Sequence, residues 1–362
     1  MNRRRIVLSI GVIVVVISLL FVSISLLRVF TPPANTWAFE MTQVDVMQNL
    51  GFYGSGVVVG IVDTGVETSH QDFESSSFIG WNDTLNGELF CYDDCDHGTH
   101  IAGVLAGRGS TQGVITQVAV QGICPDAEFI VVKVISCNEC MYGGGNDSVI
   151  ASGIQYCVDH GADIICLSLG KKPERILSNE NRLTRDACVR AAQAGVFVVA
   201  PAGNDRPYDD GDVSFVSRTG SVIAVGAVDS AGVIASFSSV GHQYPSLQDP
   251  DKKPEVVAPG VDLVSTRCAG SYGSMSGTAQ SAAVVSGVLA LLLDAYPGFR
   301  HTGSQNHGEE TVELFKDVLA KTAKKIGNLE GLTNGYSHDD SYGYGLIQAF
   351  SMYEELGNYY FV

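Results

Sequence analysis

The sequence predicts an α/β protein of three layers, with a mostly parallel central sheet, preceded by one N-terminal helix that spans a membrane. Three observations carry this expectation. Continuous apolar runs recur at residues 56–62, 129–135, 162–169, 196–200 and 222–228, the pattern of strands buried on both faces. Helical stretches fall between them, at residues 97–106, 146–160 and 182–194, and strands alternating with helices fold as a parallel sheet wrapped by right-handed crossovers. Residues 6–27 hold no charge over 22 positions, against the roughly 20 apolar residues that cross a bilayer.

Arg3, Arg4 and Arg5 precede that charge-free run. A cleaved signal peptide carries a shorter apolar core, about 7–15 residues, and a small-residue cut site. The segment "RVFTPPANT" offers no such site, so an uncleaved anchor is expected over residues 1–30, with its arginines in the cytoplasm and the rest of the chain outside. A linker over 31–40 and one domain over 41–362 follow, opening with a short helix at 41–50. Residues 278–295 form a long, nearly all-apolar helix. Ser281, Ser286, Gly287 and Asp294 within it favour the core of a folded domain over a second membrane span. Neither an internal repeat nor a low-complexity tract divides the chain.

The net charge of −17 argues against nucleic acid and anionic lipid surfaces as partners of the domain. Nine cysteines leave one thiol unpaired within a monomer. Cys137 and Cys140 have metal or redox spacing, but no second pair completes a zinc site; a loop disulfide or two ordinary thiols is the preferred reading. Cys91 and Cys95 are spaced to close a small loop under oxidising conditions.

In a parallel sheet, reactive side chains gather at the carboxyl ends of strands. Asp63 stands there in "GIVDTGV", directly after an apolar run, where a carboxylate needs a partner to offset its desolvation. His97 follows in "DDCDHGTHIAG", at the mouth of a helix, with His100 three positions on. The two histidines suggest a metal, but no third ligand stands in a recognisable pattern. Asn204 ends another apolar run in "VVAPAGND". An Asn there serves a turn, or donates its amide to a developing oxyanion. Asp, His and Asn from three strand ends suit acyl transfer. The expected nucleophile belongs at the N-terminus of the helix in "SMSGTAQSAAVVSGVLALLL", where Ala279 offers no hydroxyl.

From about residue 40 onward the chain resembles the subtilisin-like serine peptidases, or subtilases. Asp63 matches the family's triad aspartate and "HGTH" its histidine motif. "DIICLSLG" is similar to the strand whose backbone, here Ser168, Leu169 and Gly170, pairs with extended substrate. "PAGN" puts Asn204 at the oxyanion position, while "PEVVAPGVDLVST" and "YGYGLIQA" follow in the family's order. The resemblance implies a subtilisin-like fold, a serine endopeptidase and a polypeptide substrate, with no cofactor required. Aligning Ser276-Gly277-Thr278 with the family's Ser-Gly-Thr puts Ala279 at the nucleophile; Ser276 and Ser281 lie on other faces of the turn. The chain as written is therefore expected to be inactive. One lost hydroxyl beside matching Asp63, His97 and Asn204 fits a single Ser-to-Ala replacement; the alternative is a membrane-tethered pseudopeptidase acting as a peptide-binding or scaffold protein. Asp72, in "SHQDF", matches a family calcium ligand, but residues 107–122 lack the companion pattern, so an ordinary surface acid is preferred there.

Overall fold

The computed structural model describes residues 34–109, 119–142, 145–169, 182–206, 212–241, 248–332 and 336–360. The expected anchor over 1–30 and Gly170 lie outside these residues. The chain enters through helices α1 (Thr36–Thr42) and α2 (Val44–Asn49), and the left-handed backbone of Gln43, with φ of 61°, separates them. One helix over 41–50 was expected. Residues 34–40, read as linker, are instead held on the domain. The Asn35 amide donates to the Val264 carbonyl at 2.7 Å and accepts from the Val264 N–H at 3.0 Å.

Seven strands form one sheet: β1 (Val58–Asp63), β2 (Phe78–Asp83), β3 (Glu128–Lys133), β4 (Ile164–Leu167), β5 (Phe197–Pro201), β6 (Val222–Val228) and β7 (Val256–Pro259). Their order is β2-β3-β1-β4-β5-β6-β7, and every neighbouring pair is parallel. Side chains alternate between the two faces. Val59, Ile61, Val131, Ile164 and Val199 pack on helices α3 (His97–Ala106) and α7 (Thr278–Ala295). Val62, Ile130, Val132, Ile165 and Val198 pack on α5 (Asp147–Asp159) and α6 (Arg182–Gln193). Burial on both faces is why these strands read as continuous apolar runs rather than alternating ones. The short helix α4 (Cys137–Tyr142) follows β3. The edge strand β2, the short β7, the hairpin below and two C-terminal helices, α8 (Glu309–Thr322) and α9 (Ala349–Leu356), were not among the expected elements.

Helix α7 is buried from Thr278 to Leu293 and threads the core. Its serines and its one acid are all placed: Ser281 Oγ donates to the Ala258 carbonyl at 3.1 Å, Ser286 Oγ to Ala282 at 2.8 Å, and Asp294 accepts from the Tyr53 and Gly54 N–H groups at 2.9 and 3.0 Å. This is the core helix that its serines and Asp294 predicted.

An antiparallel hairpin, β8 (Leu263–Arg267) with β9 (Ser271–Met275), lies across α3. Ser265 Oγ donates to the His100 carbonyl at 2.7 Å and Thr266 Oγ1 to the Thr99 carbonyl at 2.8 Å. Gly103 permits this approach: a Cβ there would stand 2.2 Å from Ser265 Oγ and 2.3 Å from Thr266 Oγ1. Gly103→Ala should therefore push α3 off the hairpin and cost about 1–3 kcal/mol, the usual range for overpacking. Denaturant unfolding measures it, and an unchanged midpoint would show that the contact yields freely.

Candidate active site

The carboxyl ends of β1, β4 and β5 lie side by side on one edge of the sheet, and α3 and α7 pack together above one face. Asp63 closes β1 with no exposed surface. Its Oδ1 accepts from the Thr64 N–H at 2.6 Å, and both its oxygens face His97 Nδ1, at 2.8 and 3.0 Å. This bond puts the imidazole proton on Nδ1 and leaves Nε2 as the basic nitrogen. The His97 side chain stays 20% exposed, so that nitrogen has room for a reactant. Burial pushes the imidazole down, but the charge and hydrogen bond of Asp63, with Asp93 behind it, outweigh this and hold His97 above its ordinary value of 6.5.

Two local features bring α3 to Asp63. Gly98 lacks a side chain where a Cβ would stand 2.0 Å from the Gly65 carbonyl and 3.2 Å from Asp63 Cβ. Asp96 caps the helix in a left-handed conformation, φ 69°, which Asp tolerates better than most residues. Arg267 holds its carboxylate at 2.7 and 3.1 Å, and the Cys268 N–H donates to it at 2.8 Å.

Asp93 binds these pieces together, a role the sequence did not reveal. Its carboxylate accepts from Thr64 Oγ1 at 2.9 Å, from the Thr99 N–H and Oγ1 at 2.8 and 2.6 Å, and from the Cys95 N–H at 2.9 Å. Thr64 Oγ1 in turn accepts from the Gly98 N–H at 2.9 Å. Burial, reinforced by the Asp63 charge, raises Asp93 above the ordinary carboxylate range against those bonds. Lys133, also fully buried, donates to the Thr64 carbonyl at 2.5 Å and to Asp94 at 2.7 Å. His100 takes no part in this network. Its Nε2 faces the Leu263 and Gly273 carbonyls at 3.1 and 3.2 Å, and burial lowers it to about 4, so it is a neutral strut beneath the hairpin.

After β5, the Asn204 side chain is exposed while its Oδ1 is fixed. The Thr278 N–H and Oγ1 both donate to that oxygen at 3.0 Å, and Thr278 Oγ1 accepts from the Gly203 N–H at 3.1 Å. This chain of donors assigns the amide orientation and turns Nδ2 outward. Asn204 thereby satisfies an N–H that the first turn of α7 leaves without an intrahelical partner. Ala279 follows Thr278 in the same turn, 7% exposed. Ser168 and Leu169 extend from β4, with Ser168 Oγ 3.3 Å from Cys166 Sγ; Gly170 lies outside the described residues. Thr278 also went unread, although a hydroxyl between Gly277 and Ala279 is the available signal.

Asp72 is not a surface acid. It is 1% exposed, with its N–H on His70 Nδ1 at 3.1 Å and its carboxylate against Tyr272, whose phenol is raised by burial and by that charge. A calcium ion takes roughly six to eight oxygen ligands. Among the described residues no group of three or more His, Cys, Asp or Glu is arranged to hold a metal ion. All nine cysteines are thiols. Cys91 and Cys95 do not close a loop; they contact the Val66 and Cys137 carbonyls, at 3.1 and 3.9 Å.

Comparison with known proteins agrees with this geometry. The profile of the Subtilase family (peptidase S8) matches residues 54–345, which span all seven sheet strands, the hairpin and helix α7. Subtilisin DY of Bacillus licheniformis is 34% identical over 293 residues, covering 81% of this chain and 92% of its own. Subtilisin Savinase of Lederbergia lenta is 31% identical over 313 residues, covering 86% and 96%. M-protease of Shouchella clausii is 32% identical over 313 residues, covering 86% and 68%. With a seven-stranded parallel sheet and a buried Asp63 paired with His97 at its carboxyl edge, the chain belongs to the subtilase family of serine proteases.

Proposed function

We propose that this chain is a serine endopeptidase framework whose nucleophilic hydroxyl is missing at Ala279, and that a serine there completes it. The observation that carries the reading is the Asp63–His97 hydrogen bond at the carboxyl edge of the sheet. With a hydroxyl at 279, that oxygen attacks the scissile carbonyl while His97 Nε2 takes its proton and later delivers it to the leaving amine. Asp63 holds the tautomer and stabilises the imidazolium. Asn204 Nδ2, turned outward by Thr278, and the N–H of residue 279, in the first turn of α7, stabilise the oxyanion. Ser168, Leu169 and Gly170 offer backbone to an extended polypeptide. The missing hydroxyl favours a second reading, in which the same crevice binds peptides without cutting them, as a scaffold. The charge-free run at 6–27 behind three arginines supports tethering to a membrane with the domain outside.

Four outcomes are expected. The chain as it stands should bind extended peptides and hydrolyse them negligibly, whereas Ala279→Ser should raise hydrolysis by about 10³-fold or more. Adding His97→Ala should remove that gain. A folded, inert Ala279→Ser protein would replace the peptidase reading with the scaffold. In the Ala279→Ser background, Asn204→Ala should lower kcat by roughly 10²–10³ with a smaller effect on KM.

The pH dependence follows from His97. The base must be neutral, so activity should rise with pH through a pKa above 6.5. Imidazole titration by NMR in the unaltered chain should show the same midpoint. Asp63→Asn should drop it, because burial then acts without the opposing charge; a midpoint below 6.5 in the parent would contradict the pairing. Protease added to intact cells should digest the domain, and protection until the membrane is breached would reverse the proposed orientation.

A further inference from the structure

Three thiols meet beside His97, and neither the sheet nor the acyl-transfer chemistry uses them. Cys95 lies two residues before His97, on the segment anchored by Asp93. Cys137 and Cys140 stand three apart on α4, so they share a helix face. Cys95 Sγ rests 3.9 Å from the Cys137 carbonyl oxygen. A helical carbonyl points along the axis toward the next turn, while side chains lean back toward the N-terminus. A group seated on the Cys137 carbonyl therefore lies beside the Cys140 side chain, and the Cys95 thiol interacts with the side chains of both Cys137 and Cys140. Cys140 also lies near enough to Asp63 and Asp93 to feel their charges. All three cysteines are only partly buried.

The other thiols are differently placed. Cys124, Cys157, Cys166 and Cys188 are buried in the core. Cys91 contacts the Val66 carbonyl and Cys268 the Thr99 hydroxyl. Since no group of described residues is arranged to hold a metal, the chemistry open to the trio is oxidation.

We propose that Cys95 and Cys140 form a disulfide that latches the segment leading into His97 to helix α4, across the mouths of the adjacent strands β1 and β3. The co-reactant is a disulfide of the thiol–disulfide exchange class. One protein thiolate attacks it, displacing one thiol and leaving a mixed disulfide. The second protein thiolate attacks that bond, forming the Cys95–Cys140 bond and releasing the second thiol. Both protein sulfurs are oxidised, the donor disulfide is reduced, and the two protons leave on its thiols. Burial raises the Cys95 thiol and pushes Cys140 to about 12, so the exchange is slow at neutral pH. The latch closes a loop that holds α3 and β3, and such closure restricts the unfolded chain.

The test uses the full chain, incubated for long periods in mixtures of oxidised and reduced glutathione, quenched in acid, alkylated, digested and mapped by mass spectrometry. The expected product joins Cys95 to Cys140 and leaves Cys137 alkylated. The oxidised protein should melt several degrees above the reduced one. Cys137→Ser should keep both the bond and the shift, whereas Cys95→Ser and Cys140→Ser should each lose both while retaining the parent circular dichroism spectrum. Free alkylation of Cys95 after full oxidation, a bond between Cys137 and Cys140 instead, or a melting shift that survives Cys140→Ser would each overturn the latch. None of these readouts depends on peptidase activity, so the latch stands or falls separately from the function proposed above.

Discussion

A carboxylate with no contact to water stands at the end of a buried strand, and most of the site's architecture follows from satisfying it. Removing a carboxylate from water is costly unless hydrogen bonds replace the lost hydration. Asp63 obtains them from the Thr64 N–H and from His97. The second partner requires the first turn of α3 to lie almost in contact with the strand end, which Gly98 allows. Thr64, Asp93 and Thr99 then fasten that turn by hydroxyl and amide. Arg267 fastens it from the hairpin through Asp96. Strand, helix and hairpin are thus held to one another around a single negative charge.

The site divides into two halves with different dependencies. The Asp63–His97 half is built from buried charge and close backbone approach. The Asn204 half is a neutral relay, Gly203 to Thr278 to Asn204, which also caps α7. Neither relay passes through the side chain of residue 279. Helix start, imidazole orientation and amide orientation are therefore compatible with Ala279, and stability is separable from the presence of a nucleophile.

The sequence was most legible where burial is complete and locally determined. The bounds of α3, α7 and β6 coincide with the apolar runs that predicted them, and the other buried sheet strands shift by one or two residues. Strand β2 escaped notice because it lies at the sheet edge and leaves Ile79 49% exposed, so its pattern is neither continuous nor alternating. Helix α8 does place Val312, Phe315 and Leu319 on one face, but the run also contains Lys316, which is buried against Asp251 and Glu255. Asp63 and His97 could be read because their neighbours form compact motifs. Asp93 could not: it is one of three acids in "DDCD", and the partners that sort them are distant in the chain. Asp94 meets Lys133, Asp96 meets Arg267, and Asp93 alone turns inward. Asp72 was misread for the same reason, since Tyr272 reaches it from two hundred residues away.

Helix α7 carries a further consequence for how the chain reaches its native state. Its apolar side chains point all round the axis, so no orientation hides them until the sheet and α3 are both in place. The sheet itself is wholly parallel, and parallel pairings close long loops and form slowly. During that interval the longest helix of the described domain has nothing to cover it. Partly folded chains at high concentration meet one another through this segment, so recovery from denaturant depends on dilution. The helix that completes the core is also the domain's chief aggregation hazard.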